Sequence, residues 1–165
     1  MPRPMIHFEN SSATPRSTDI QTFLPYKSFQ SSARVLDRAR LGKQRVETYQ
    51  IMKALVLGSG WASHPVTKMW SGHLDHLLTY QQAICEEWNR RGYKDSCLEK
   101  TTNLFNSSRY ASTITDNPRW LGLKKLHSSH RSNLLRKDSE YYGRFGWKEL
   151  PNLPYFWPVP TEEVE

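Results

Sequence analysis

The stretch from His73 to Arg91 constrains this chain more than any other. Leu74, Leu77, Leu78, Ile84, Cys85 and Trp88 recur at helical spacing and make one apolar stripe. Asp75, Thr79, Gln82, Glu86, Glu87 and Arg90 cover the opposite side. Arg90 and Arg91 suit the negative end of a helix, and Gly92 suits the left-handed position that follows it. A helix with one apolar face must bury that face, so the rest of the chain has to pack around this element. Cys85, on the apolar side, reads as a buried thiol.

The other elements follow from weaker signals. Residues 1–20, with Pro2, Pro4, Pro15 and a Ser/Thr/Asn cluster, read as a flexible tail. Thr22-Phe23-Leu24-Pro25-Tyr26 reads as extended. Ser31 or Ser32 caps a helix from about Ala33, and helical text runs from Val35 to Leu57 with Gly42 as its weak point. There Leu41, Thr48, Met52 and Leu55 share one face, and Arg38 and Arg45 share a side. Gly58 and Gly60 end it. His64-Pro65 starts a short helix with Val66, Met69 and Trp70 on its apolar face. Lys94 to Asn117 carries little signal. A helix from about Ser128 to Lys137 follows, then an aromatic stretch from Tyr141 to Trp157. No repeat and no sheet pattern is present. The expected fold is mainly α: a compact single-domain helical bundle over residues 21–160, with long ordered loops and an aromatic C-terminal segment. Residues 161–165 form an acidic tail.

Composition excludes several classes. The chain has 165 residues, a formal charge of +7 and two cysteines, too few thiols for a disulfide framework or a four-cysteine zinc site. No apolar run approaches a membrane span, and no secretory signal opens the chain, so a cytoplasmic protein is expected. Six Trp, eight Tyr and six Phe supply enough apolar area for a core despite the polar balance. The base excess sits in two stretches, Arg34 to Lys53 and Arg119 to Lys137, on either side of a neutral segment. A basic, aromatic-rich domain points to a polyanion, nucleic acid first, if the two stretches converge on one face.

Three constellations carry chemistry. Arg38, Arg40, Lys43 and Arg45 lie between Asp37 and Glu47. Arginine forks grip phosphate and lysine adds a mobile charge. A carboxylate among them can stabilise an oxocarbenium-like transition state, and Gly42 would let a ligand approach the backbone. The bland alternative is a surface helix laced with ion pairs such as Lys43–Glu47. The second constellation is His127 to Lys137. There His130, Arg131 and Asn133 form a phosphate and base-edge contact set. His127/His130 and His73/His76 have metal-compatible spacing but no companion ligand, so core or capping roles are expected, with no metal and no cofactor. Third, Tyr141, Tyr142 and Trp147 either stack unpaired bases or roof the core.

Taken together, Gln21-Thr22-Phe23-Leu24-Pro25, Arg38 to Glu47, His64-Pro65, Trp88-Asn89-Arg90-Arg91-Gly92-Tyr93 and Ser129-His130-Arg131-Ser132-Asn133-Leu134-Leu135 resemble a bacterial and phage group. That group is related to phage endonuclease V, the pyrimidine-dimer DNA glycosylase. The likeness covers about Gln21 to Pro158. With the characterised glycosylase the chain shares Arg45-Val46, the long helix ending in Arg-Arg-Gly-aromatic, and Tyr141-Tyr142-Gly143. The resemblance implies a helical single domain that binds double-stranded DNA, kinks it and flips a base. It implies an N-terminal amine that attacks the sugar C1′, releases the base and promotes β-elimination through an imine. A glutamate on the first helix assists, and no metal takes part.

Two departures follow from that resemblance. Counted without gaps from Arg45, the amine's position falls on Gln21, which twenty residues precede, so its nitrogen is an amide. The glutamate's position falls on Gly42. Asp37 or Glu47 then has to supply the carboxylate, with Lys43 a further possible amine and Pro2 a terminal one if the first methionine is removed. The expected function is a DNA glycosylase, with or without strand-cleaving lyase activity at abasic sites, in base-excision repair of bacterial or phage DNA. Its candidate catalytic residues are Asp37, Glu47, Lys43 and Gln21. Its candidate substrate-binding residues are Arg38, Arg40, Arg45, His64, His130, Arg131, Asn133, Tyr141 and Tyr142. The partner is duplex DNA, with no membrane and no obligate protein partner expected. The rivals are a non-catalytic nucleic-acid binder of the same fold and a hydrolase of nucleotides or RNA.

Overall fold

A computed structural model describes residues 6–10, 20–58 and 60–162. The fold is mainly helical. The helices are α1 (Phe29–Val35), α2 (Arg38–Leu57), α3 (Pro65–Trp70), α4 (Leu74–Arg90), α5 (Cys97–Asn106), α6 (Lys124–Lys137) and α7 (Ser139–Tyr142), the last continued by a 3-10 turn at Gly143–Phe145. The amphipathic segment is α4, the hub of the packing: α1, α2 and α5 all lie against it, and α2 also packs on α5. Its Leu74, Leu77, Ile84 and Cys85 are buried. Burial pushes the Cys85 thiol pKa up, so it stays an inert core group.

The text that read as helical from Val35 to Leu57 breaks at Leu36. Asp37 is extended and caps α2, accepting from the Arg40 N–H at 3.4 Å. Its backbone N–H donates to Tyr142 Oη at 3.1 Å, and that hydroxyl donates back to Asp37 Oδ1. The preceding helix starts earlier than Ser31, because Ser28 Oγ takes the Ser31 N–H at 3.1 Å. Arg91 ties the two helix ends to α4. Its Nη2 donates to the carbonyls of Arg34 at 3.1 Å and Leu36 at 2.8 Å, and its Nε reaches Glu87 at 2.8 Å. Gly58 ends α2 in the left-handed conformation at φ 68°, as glycine permits.

Three departures from the sequence reading concern elements. Helix α5 lies inside the stretch without signal; Asp95 accepts the N–H of Cys97 at 3.1 Å and of Leu98 at 2.9 Å and so starts it. Helix α6 begins at Lys124 rather than near Ser128. A two-stranded antiparallel ribbon joins β1 (Ile6–Asn10) to β2 (Pro158–Glu162), with Ile6 opposite Glu162 and Asn10 opposite Pro158. The prolines of β2 argue against a strand when read alone, and β1 falls within the stretch read as a tail. The rest of that stretch, residues 1–5 and 11–19, and the last three residues lie outside the described ones. Among the described residues no helix is long and apolar enough to cross a membrane.

The core is aromatic. Trp70 meets Trp120 edge-on with ring centroids 4.9 Å apart and lies 5.7 Å from Tyr80. Trp157 and Tyr142 are fully buried.

Candidate active site

Residues 20–25 form no strand, yet their peptide groups are bound almost one by one by side chains from the helices. Gln21 N–H donates to Glu47 Oε2 at 2.6 Å. Gln44, one turn before Glu47 on α2, donates to Gln21 O at 2.8 Å and accepts from Phe23 N–H at 3.0 Å. Tyr80 Oη on α4 donates to Phe23 O at 2.7 Å. Trp70 Nε1 on α3 donates to Thr22 Oγ1 at 3.2 Å. Leu24 N–H donates to His130 Nδ1 at 2.8 Å, while His127 Nδ1 bonds Leu24 O at 2.8 Å. Arg131 Nη1 donates to Pro25 O at 2.7 Å. Buried backbone groups must find partners, and here α2, α4 and α6 supply them, with α3 holding the Thr22 hydroxyl. An extended segment held this way has little freedom left, so the nitrogen of Gln21 is fixed against the Glu47 carboxyl.

That contact lies in a pocket of about 330 Å³ lined by Gln21, Phe23, Ala39, Arg40, Lys43, Glu47 and Lys137. The volume lies within the range of small-ligand sites, roughly 300–1,000 Å³. Glu47 is 5% exposed. Burial pushes its carboxyl pKa up to about 7, partly opposed by the Gln21 N–H and by Lys43 and Lys137. A carboxyl at that value holds both protonation states near neutral pH, as a general acid or base requires. The buried Gln21 Oε1 makes no hydrogen bond among the described residues. The two basic stretches meet here, since Arg40 and Lys43 come from α2 and Lys137 from α6.

Of the residues singled out in the sequence, the pocket unites Gln21, Arg40, Lys43 and Glu47. Arg38 lies elsewhere, with its guanidinium over the Tyr93 ring, 5.2 Å from the centroid. The others lie outside the pocket lining and make contacts within the fold. Asp37 is the α2 cap, its carboxyl held below the usual range, against its burial, by Tyr142 and Arg40. Arg45 pairs through Nη1 with Asp95 at 2.7 Å and lies over the Trp88 ring at 4.4 Å, with its Nε buried away from a phosphate. His64 caps α3, accepting from Val66 N–H at 3.1 Å. Burial lowers the His130 pKa to about 3, with His127 and Arg131 adding to it, so the ring is neutral and serves Leu24. Arg131 grips Glu149 through Nε and Nη2, both at 2.9 Å. Asn133 donates to Ser129 O at 2.7 Å and Leu153 O at 3.1 Å. Tyr142 is fully buried and stacks on Trp147, 5.7 Å between centroids, so it cannot stack a base. Tyr141 carries the Arg144 guanidinium on its ring at 3.9 Å.

Gly42 also has a different reason from the one expected. It makes room for a side chain, Trp88, rather than for a ligand. Sequence reasoning missed Lys137 as a pocket residue. The two histidine pairs serve the fold, His73 and His76 both bonding Thr115, at 3.3 and 3.0 Å. No cluster of metal-ligating side chains occurs among the described residues.

Residues 20–101 match the model of the family described as pyrimidine dimer DNA glycosylase. The matched stretch contains α1 to α4, Gln21 and Glu47, and stops before α6, which brings Lys137. No curated protein and no solved structure gives a match.

Proposed function

The chain belongs, through residues 20–101, to the pyrimidine dimer DNA glycosylase family, and we propose that it cleaves the N-glycosidic bond of a damaged base in duplex DNA at the Glu47 pocket. The observation that carries this reading is the contact between Glu47 Oε2 and Gln21 N at 2.6 Å in a pocket rimmed by Arg40, Lys43 and Lys137. The segment that resembles the family's amine-bearing terminus therefore runs against a buried carboxyl on α2, one helical turn beyond Lys43. Glu47, and not Asp37 or the residue at Gly42, fills the role of the assisting glutamate. The cations suit the phosphates that flank an extruded nucleotide, since a base must leave the stack before its C1′ is reachable.

Within that pocket the residues divide the work. Arg40 and Lys43 hold the backbone of the damaged strand. Glu47 as carboxylate stabilises the positive charge that develops at C1′ as the base departs. In a chain continuous through Ile20, the Gln21 nitrogen is an amide and acts as a hydrogen-bond donor that orients Glu47. Strand scission at the resulting abasic site, as a lyase, is the second half of the reading.

Incubation with a duplex that carries a single cyclobutane pyrimidine dimer tests it. The wild-type chain should cut a glycosidic bond of the dimer, leaving that base tethered to its neighbour through the cyclobutane ring, and Glu47→Gln should lower that rate by about 100-fold or more. Undiminished excision by Glu47→Gln would sink the assignment of Glu47. Salt-dependent duplex binding without cleavage of a glycosidic bond would favour the non-catalytic binder.

A further inference from the structure

We propose that Lys137 is a catalytic amine of this pocket, attacking C1′ of an abasic deoxyribose and carrying the β-elimination that cuts the strand. The inference rests on the Glu47 pocket being the glycosylase site and names the group that performs its second step. Its premise is a gap: imine chemistry needs an amine, and the nitrogen beside Glu47 belongs to an internal peptide.

Two lysines line the pocket. Lys43 is exposed, so water solvates its ammonium. Lys137 is half-buried at the end of α6, where the helix delivers its side chain into the pocket beside Glu47. No hydrogen bond or ion pair with a carboxylate holds its Nζ among the described residues. Glu149 is taken by Arg131 and Asp37 by Arg40 and Tyr142. The neighbours of Lys137 are cations instead. Burial lowers its pKa, and the charges of Arg40, Arg136 and Lys43 lower it further, with Glu47 alone opposing. A desolvated lysine among cations gives up its proton more readily, which is how an amine becomes a nucleophile.

The step balances with these groups. The neutral Nζ adds to the aldehyde carbon C1′ of the ring-opened sugar; the carbonyl oxygen takes one proton from the amine and one from the protonated Glu47 carboxyl and leaves as water, giving a protonated imine and a Glu47 carboxylate. The Glu47 carboxylate takes a proton from C2′. The electron pair of that C–H bond forms the C2′–C3′ double bond as the C3′–O bond breaks. The phosphate leaves on the 5′ end of the downstream strand. Water then hydrolyses the imine, which returns the Lys137 amine and frees an unsaturated aldehyde.

The test uses the full chain and a duplex with a preformed abasic site, so that it does not depend on base release. Borohydride reduction should trap a covalent adduct, and peptide mapping should place it on Lys137. Lys137→Arg keeps the charge but not the nucleophile. It should cut trapping and strand cleavage by about 100-fold while duplex binding stays near wild type. Lys43→Ala should weaken duplex binding, while the adduct that forms at saturating duplex still maps to Lys137. Lys137→Ala gives a second reading should arginine not fit, with helix content by circular dichroism showing that each variant folds. No adduct with the wild-type chain, an adduct on Lys43 or on the N-terminal amine, or full trapping by both Lys137 variants would overturn the proposal. Dimer excision is read on a separate duplex. Excision without trapping overturns Lys137 and leaves the glycosylase reading standing, whereas trapping at Lys137 without excision of any base does the reverse.

Discussion

Gly42 lies under the indole of Trp88: a Cβ built on it would stand 3.0 Å from Cη2 and 3.1 Å from Cζ3. The indole has little room to retreat, because Tyr93 stacks on it at 4.4 Å, Arg45 covers it at 4.4 Å, and its Nε1 donates to Lys94 O at 3.1 Å. Alanine at this position would gain about 1 kcal/mol of helix propensity but would overpack, at a cost of roughly 1–3 kcal/mol. Gly42→Ala should therefore lower the denaturant midpoint slightly, with a net loss of about 1 kcal/mol. Trp88 lies away from the Glu47 pocket, so excision by the folded variant should match wild type. A stable but inactive Gly42→Ala would show that the glycine serves a ligand.

The carboxyl of Glu47 makes activity and stability oppose one another. Its pKa rises from 4.5 in the unfolded chain to about 7 in the folded one. Between those values the folded state holds a proton that the unfolded state has released, so stability falls as pH rises and reaches its low plateau above about 7. Gln in place of Glu47 keeps an acceptor for the Gln21 N–H and removes the charge. Glu47→Gln should be more stable than wild type at pH 8, by on the order of 2 kcal/mol, and hardly different at pH 4. Thermal melts at the two pH values measure this. Equal melting of variant and wild type at pH 8 would argue that the buried carboxyl carries no such penalty.

His130 tilts the balance the other way. Burial holds its folded pKa at about 3 against 6.5 for the free side chain. As pH falls below 6.5, the unfolded chain takes up a proton that the folded one refuses, so stability drops toward acid. His127 adds to this slope, its pKa also lowered by burial. Between about pH 4.5 and 6.5 Glu47 and His130 cancel, each contributing one proton of opposite sign. His130→Gln, whose Oε1 can still accept the Leu24 N–H, should flatten the acid limb by one proton. In the Glu47→Gln background the histidine slope should stand uncovered. A pH–stability curve of His130→Gln parallel to wild type below pH 6 would contradict a neutral, buried ring.

Legibility in the sequence divided along physical lines. Helix α4 was readable because its apolar stripe reports burial directly. Helix α5 was not, since Thr101, Thr102, Asn103 and Asn106 dilute its apolar positions and its start depends on Asp95, a residue outside it. The site was half legible. Charge density pointed to Asp37–Glu47, but which of its groups face a pocket depends on what packs across the helix. Glu47 and Gln44 are buried polar residues on α2, which a periodicity reading takes for a solvated side. They are inside because the segment at Gln21 to Leu24 needs their hydrogen bonds. Lys137 escaped for the same reason, its role being set by where the end of α6 meets α2. His130, Arg131 and Asn133 looked functional because polar residues clustered on a short helix resemble a contact set, whereas they anchor Leu24, Pro25 and Leu153.

The two arginines Arg40 and Arg45, one helical turn and a half apart, should respond in opposite ways to charge removal. Arg40 lines the pocket, and its ion pair with Asp37 at 3.1 Å is partly exposed, so its charge remains available to a phosphate. Arg45 is tied to Asp95, whose side chain is 3% exposed. Removing Arg45 would leave that carboxylate buried without its partner, at a cost of about 3 kcal/mol or more. Each phosphate contact contributes roughly 0.9 to the slope of log affinity against log salt. Arg40→Ala with Lys43→Ala should therefore reduce that slope by up to about 2 with little change in stability. Arg45→Leu should leave the slope of its folded fraction unchanged and lower the denaturant midpoint sharply. The reverse pattern, a salt slope that falls with Arg45 and not with the Arg40 and Lys43 pair, would move the phosphate grip to the Trp88 side of α2 and away from Glu47.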